Sequence, residues 1–138
     1  MTENSGFYTL KGYALLEGST ITSSMEDYLE MIYRIHQRGE AVRVGGLAES
    51  LNVKPSSATK MVANLKKEGL VLSEKYGYIK LTDAGHALGA YLVSRHEILH
   101  RFLCLINNST DELEQVEKIE HFVNAKTVAN IERFLNEM

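Results

Sequence analysis

The 138-residue sequence predicts a mainly α-helical fold, an N-terminal winged helix-turn-helix followed by a C-terminal helical dimerisation domain. Three observations carry that prediction. Two short amphipathic segments, at about 44–51 and 55–68, flank an Asn52-Val53 break, the pattern of a helix-turn-helix. Two β-favourable runs, 70–73 and 78–81, follow at once with Gly77 between them, as a small hairpin would. From Thr82 onward the chain is helical in period and carries more apolar face than one small winged helix can cover.

Each element has its own local reasons. In SSMEDYLEMIYRIHQRG, Met25, Tyr28, Leu29, Ile32 and Ile35 recur at helical spacing. Ser23 and Glu26 have the spacing of a capping box, and Gly39 stands where a stop is expected. The next helix presents Leu47, Ala48 and Leu51. Pro55 suits the first position of the following helix, where its missing N–H costs nothing. Ala58, Met61, Val62 and Leu65 give that helix its apolar stripe, and Gly69 ends it. Thr82 is placed to cap a long helix with apolar positions at Leu88, Tyr91, Leu92, Leu99, Phe102, Leu103 and Ile106. Ser109 and Glu112 suggest another capping box, opening DELEQVEKIEHFV. After Asn124, a last helix carries Val128, Ile131, Leu135 and Met138. Residues 1–22 show no clear period and read as a flexible arm.

Composition excludes several classes. The chain is 44% hydrophobic and 24% charged with one proline, which is globular and not disordered. No apolar run reaches the roughly 18–20 residues of a membrane helix. The N-terminus lacks the basic and apolar regions of a signal peptide. The single Cys104 lies in FLCLI and reads as a buried, inert thiol. A cytoplasmic protein is expected. No nucleophile elbow, phosphate-binding glycine loop or HExxH motif is present, so an enzyme is not expected.

Charge is unevenly placed. The net charge of −3 argues against nucleic acid, yet residues 54–80 hold six lysines against two acids, whereas residues 110–138 hold seven acids against three bases. A basic middle and an acidic end imply two surfaces with different partners. A recognition helix sets its N-terminal residues against base edges in the major groove. Here those are Lys54, Pro55, Ser56, Ser57, Thr59 and Lys60. Lys66, Lys67 and the wing's Lys75 are candidates for phosphate contact. Solvated lysines are the ordinary reading of each alone. The proline-started helix, the wing and the local positive charge together favour double-stranded DNA.

The acidic end contains QVEKIEHF. Steps of three and four residues return to one helix face, so Glu117, Glu120 and His121 project together, as do Asp27 and Glu30 on the first helix. His96 stands on the long helix in SRHEIL. Each group alone also fits a wet helix face or, for Asp27 and Glu30, a first turn favoured by the helix dipole. His100, one turn beyond His96, could face the same way. His36 and His86 read as surface residues.

Taken together, MEDYLEMIYRI, VKPSSATKMVANLKKEGLV, EKYGYIKLT, SRHEIL and VEKIEHF resemble metalloregulators of the diphtheria toxin repressor family, in the same order, from Ser23 to Met138. The resemblance implies a metal-dependent repressor. It puts the metal ligands on Asp27, Glu30, His96, Glu117, Glu120 and His121, with two ions per subunit and some carboxylates bridging. It also implies a homodimer built on the C-terminal helices, and an operator with two half-sites. Iron-type members place a Met where Asp27 stands and a Cys where Glu117 stands, and they carry a further SH3-like domain not expected here. Hard carboxylates at both positions suit Mn(II), which is selected by geometry and ligand hardness. Manganese-uptake genes are the expected targets. The expected domains are the arm (1–22), a winged-helix DNA-binding domain (23–82) and a helical metal-binding and dimerisation domain (83–138). An iron or zinc sensor of the same fold, and a metal-independent winged-helix regulator, are the competing readings.

Overall fold

The computed structural model describes residues 20–138, so residues 1–19 of the expected arm lie outside the described residues. Helix α1 (Ser23–Gln37) is capped by Thr22, whose Oγ1 accepts from the Met25 N–H at 3.1 Å. The expected box of Ser23 and Glu26 does not form. Glu26 instead faces Arg95 and His121. The apolar period is as read, and Met25, Tyr28, Leu29, Ile32 and Ile35 are all buried.

Strand β1 (Val42–Arg43) leads directly into α2 (Val44–Leu51), and a tight turn then opens α3 (Pro55–Lys67). Asn52 makes that turn in the left-handed region, φ 57°, which asparagine tolerates better than most residues. The Val53 N–H closes α2 on the Ala48 carbonyl at 2.9 Å. At the far end of α3, Gly69 has φ 75°, a conformation that disfavours any side chain. Ala58, Val62 and Leu65 turn inward.

The wing consists of β2 (Val71–Ser73), a 3-10 turn (Lys75–Gly77) and β3 (Tyr78–Leu81). The sequence indicated a two-stranded hairpin, but the sheet has three antiparallel strands in the order β1-β3-β2. The extra strand supplies only the pairs Val42↔Ile79 and Arg43↔Tyr78, too short to show a period. Arg43 also braces the wing tip. Its Nη2 donates to the Tyr76 carbonyl at 2.7 Å, and its guanidinium lies 5.1 Å from the Tyr78 ring centroid.

Helix α4 (Asp83–Asn107) has 25 residues and is therefore about 38 Å long. It belongs to both halves of the molecule. Its first half packs Leu88 and Leu92 into the core formed by Leu29, Ile32, Leu47, Leu65 and Val71. Its second half packs Ile98 against Val128 and Leu135, and packs Leu99 and Leu103 against Val116. Those last partners come from α5 (Leu113–Ile119) and α6 (Ala125–Asn136). The expected helix over 111–123 is shorter than read. Asp111 Oδ1, not a Ser109 box, accepts from the Leu113 N–H at 3.0 Å. The α-helix ends at Ile119 and gives way to a 3-10 turn, Glu120–Phe122. No helix of the described residues is long and apolar enough to cross a membrane.

The junction at the start of α4 is tight. Thr82 Oγ1 accepts from the Gly85 N–H at 3.0 Å and donates to the Gly69 carbonyl at 2.6 Å. A Cβ on Gly85 would lie 1.9 Å from the Leu70 carbonyl oxygen, and one on Gly89 would lie 2.7 Å from Tyr33 Cβ. Gly85→Ala forces backbone apart and is expected to cost about 1–3 kcal/mol, as overpacking does. Urea unfolding should show a lowered midpoint; an unchanged midpoint would contradict the close approach.

Candidate metal centre and nucleic-acid interface

The metal candidates meet at the seam between α1, the middle of α4 and the 3-10 turn after α5. Two triads form there. Asp27, Glu120 and His121 each offer a donor atom within 4.8 Å of the others, and so do His96, Glu117 and Glu120. Glu120 belongs to both. Glu120 opens the 3-10 turn one helical step after buried Val116, on the same inward face, with 0% of its surface exposed. Glu117, still on α5, stays at the cleft mouth with its side chain 55% exposed.

The contacts are specific. His96 Nδ1 lies 3.1 Å from Glu120 Oε1 and 3.7 Å from Glu117 Oε1. His121 Nε2 lies 2.9 Å from Asp27 Oδ1. Asp27, Glu30, His96 and Glu117 line one cleft of about 530 Å³. Glu30 stands apart from both triads, and one of its oxygens accepts twice from Arg34. His100 turns elsewhere, with its Nε2 3.2 Å from the Glu112 N–H and 3.6 Å from Cys104 Sγ. Cys104 is half-buried. His36 and His86 are exposed, as expected.

Two residues that the sequence did not flag complete the centre. Glu26 Oε1 lies 2.8 Å from His121 Nδ1 and accepts from Arg95 Nη2 at 3.1 Å. Arg95 is 4% exposed. A carboxylate on one imidazole nitrogen orients the ring and directs the other nitrogen outward, here toward Asp27. Arg95 neutralises Glu26 within the seam. Glu26 had a ready alternative role as a capping residue, and Arg95 reads as an ordinary surface arginine; only its i−4 relation to Leu99 on the buried side of α4 hinted otherwise.

The electrostatics follow from this crowding. Hydrogen bonds to Asp27 and Glu26 raise the His121 pKa to about 10. The hydrogen bond to Glu120 raises that of His96. Burial, then the negative charges of Glu120 and Asp27, raise that of Glu117. Burial pushes Glu26 up, but the hydrogen bond to His121 and the Arg95 charge outweigh it, so its pKa falls.

A divalent cation fits these residues. Glu120 Oε2 is buried without a hydrogen-bond partner among the described residues. Leaving a buried acceptor oxygen without a partner costs about 1–3 kcal/mol, and more on a charged group. The donor atoms of both triads are carboxylate oxygens and imidazole nitrogens, the set that suits hard and borderline divalent ions.

The nucleic-acid candidates lie on a different face. Lys54, Pro55, Ser56, Ser57, Thr59 and Lys60 are all exposed around the start of α3, and Lys66, Lys67 and Lys75 are exposed as well. The Thr59 hydroxyl donates to the Pro55 carbonyl at 3.0 Å, which leaves its oxygen free to accept. Lys80 is drawn to Glu74 at 3.4 Å.

A winged helix joined by one long helix to a carboxylate-histidine centre defines a metal-responsive DNA-binding regulator. Residues 20–79 match the family described as iron dependent repressor, N-terminal DNA binding domain, and residues 82–138 match its metal binding and dimerisation domain. The chain belongs to this family of metal-dependent transcriptional regulators, which are not enzymes. It is 42% identical over 111 residues to the HTH-type transcriptional regulator MntR of Lysinibacillus sphaericus (strain C3-41), covering 80% of each chain. It is 41% identical over 111 residues to the MntR of Bacillus subtilis (strain 168), covering 80% of this chain and 78% of that one. Among solved structures it resembles the manganese regulator SloR, with 32% identity and a TM-score of 0.71 over 81% of this chain and 53% of that one. A manganese-dependent transcriptional repressor in complex with manganese gives 29% identity and a TM-score of 0.69, over 81% of this chain and 52% of that one. The chain thus spans about half the length of these two solved structures.

Two outcomes follow from the centre. His121 is held protonated at neutral pH, so a cation binding its nitrogen must displace that proton. Apparent affinity for a divalent cation should therefore rise between pH 6.5 and 7.5, by about tenfold for each displaced proton; a flat response in calorimetric titration at the two values would show that neither His121 nor His96 gives up a proton to the ion. Glu26→Gln keeps the shape but removes the charge that orients His121. It should weaken metal binding by about 10–100-fold, while an unaffected Kd would show that Glu26 merely fills space.

Proposed function

We propose that this protein is a manganese-responsive transcriptional repressor. It acts in the cytoplasm as a homodimer and binds double-stranded DNA at an operator with two half-sites. Two Mn(II) ions per subunit would be held by Asp27, Glu30, His96, Glu117, Glu120 and His121, Glu120 being the residue common to the two donor triads. Manganese-uptake genes are the targets.

The observation that carries this reading is the division of the donor set. Asp27 and Glu30 stand on α1, which packs under α2 and α3. His96 stands on α4, and Glu117, Glu120 and His121 stand at the C-terminal end of the seam. When bound, a divalent cation supplies the positive charge that lets these carboxylates share one place. Asp27 and Glu30 then tie the DNA-binding half to the helices that hold the dimer together. The two α3 helices of the dimer are thereby held at one separation, which a two-half-site operator requires. The gain is a population shift, limited by the difference in metal affinity between the two states. A hundredfold rise in DNA affinity needs about 2.8 kcal/mol, the same order as satisfying one buried charged acceptor such as Glu120 Oε2.

At the DNA face, Ser56, Ser57 and Lys60 on α3 and Lys54 just before it approach base edges. Pro55 starts the helix, Thr59 offers its oxygen, and Lys66, Lys67 and Lys75 bind phosphates.

The test is a gel-shift assay on the promoter of a manganese transporter from the same genome, run with Mn(II) and with chelator. Binding should tighten at least tenfold with Mn(II), and Asp27→Met should remove most of that gain. Equal binding with and without Mn(II) would overturn the proposal.

A further inference from the structure

Arg34 is a permanent cation inside the metal cleft. It lines the cleft with Asp27, Glu30, His96 and Glu117. Its Nε and Nη2 both donate to Glu30 Oε2, at 2.9 and 2.8 Å. Glu30 itself is buried, whereas the Arg34 side chain is about one-third exposed. Glu30 therefore has a charged partner within the same helix, one turn away.

That partner acts on one side of the centre. The cleft that Arg34 and Glu30 line holds His96 and Glu117, two of the three donors of the His96 triad, but of the other triad only Asp27. Arginine never gives up its charge near neutral pH, so it cannot step aside by losing a proton. It can leave only by swinging its side chain toward solvent, which its partial exposure permits.

We propose that Arg34 is a tethered competitor for the ion at the His96 triad. An ion that recruits Glu30 there must displace the guanidinium from Glu30 or bind beside it against its charge. Either way the His96-side ion is weakened and the Asp27–His121 side is spared. Arg34 thereby raises the metal concentration at which both ions are in place, and so sets the threshold of the response. This inference rests on the proposed two-ion reading of the centre.

The experiment is titration of chelator-treated full-length protein with Mn(II). Bound ion is read by calorimetry and by loss of the free-ion electron paramagnetic resonance signal. The wild type is compared with Arg34→Gln and Arg34→Lys. In Arg34→Gln one ion should tighten about tenfold while the other changes less than twofold, or a second ion should appear where the wild type takes one. Arg34→Lys keeps the charge without the planar fork and should stay nearer the wild type. Equal affinities in wild type and Arg34→Gln would overturn the inference, as would equal tightening in Arg34→Gln and Arg34→Lys. Failure of the wild type to bind Mn(II) at all would instead overturn the metal reading on which it rests.

Discussion

The buried carboxylate of Glu120 is the constraint around which the molecule is organised. Two histidines, one other glutamate and an aspartate gather within reach of it, drawn from three separate stretches of chain. One of its oxygens meets His96, and the other has no hydrogen-bond partner among the described residues. An apolar side chain at that position would have closed the seam at no electrostatic cost. A carboxylate there makes the closing of the seam conditional on positive charge. His96 and His121 can supply some of it as imidazolium, since both have raised proton affinity. A metal ion held by these groups would compete with protons for them, which would link metal affinity to pH.

That condition reaches the DNA-binding face through two rigid parts. Helix α4 is shared by both cores, so its two halves cannot move independently without breaking one of them. Gly85 and Gly89 bring α4 so close to Leu70 and Tyr33 that the junction has little slack. Helix α1 is the second part. Its apolar side, Leu29, Ile32 and Ile35, lies in the same core as Ala58, Val62 and Leu65 of α3. Its polar side carries Glu26, Asp27 and Glu30 into the seam. The free energy required for regulation is small beside that of either core, so neither half has to unfold.

Most of the winged helix was legible in the sequence because each boundary carries its own local chemistry. Pro55 marks a helix start, Gly69 and Asn52 mark ends that need positive φ, and Thr82 caps α4 as read. The metal candidates were legible as i, i+3 and i+4 groups on helices. Five of the six meet in the two triads, and Glu30 lines the same cleft. What escaped depends on tertiary contact. Strand β1 is two residues long and exists because β3 lies beside it. The 3-10 turn at Glu120 interrupts a stretch whose composition favours continued helix. Glu26 fitted a capping box as well as it fits His121, and only the fold decides between them. Arg95 is buried at 4% exposure, where arginine is rarely found, because Glu26 is there to meet it.

The position of α1 explains why the candidate ligands lie where they do. A site confined to α4, α5 and the turn would bind metal without involving the DNA-binding half. A site confined to α1 would hold too few donors. Placing Asp27 on α1 opposite His121 puts the bond across the seam, on the element that underlies the recognition helix. The Arg95–Glu26–His121 chain runs across the same seam, and its Arg95–Glu26 pair lies outside both triads. It joins the first turn of α1 to α4 and to the turn after α5 through charge pairs at 2.8–3.1 Å. Metal ligation at Asp27 would then tighten an alignment that already exists.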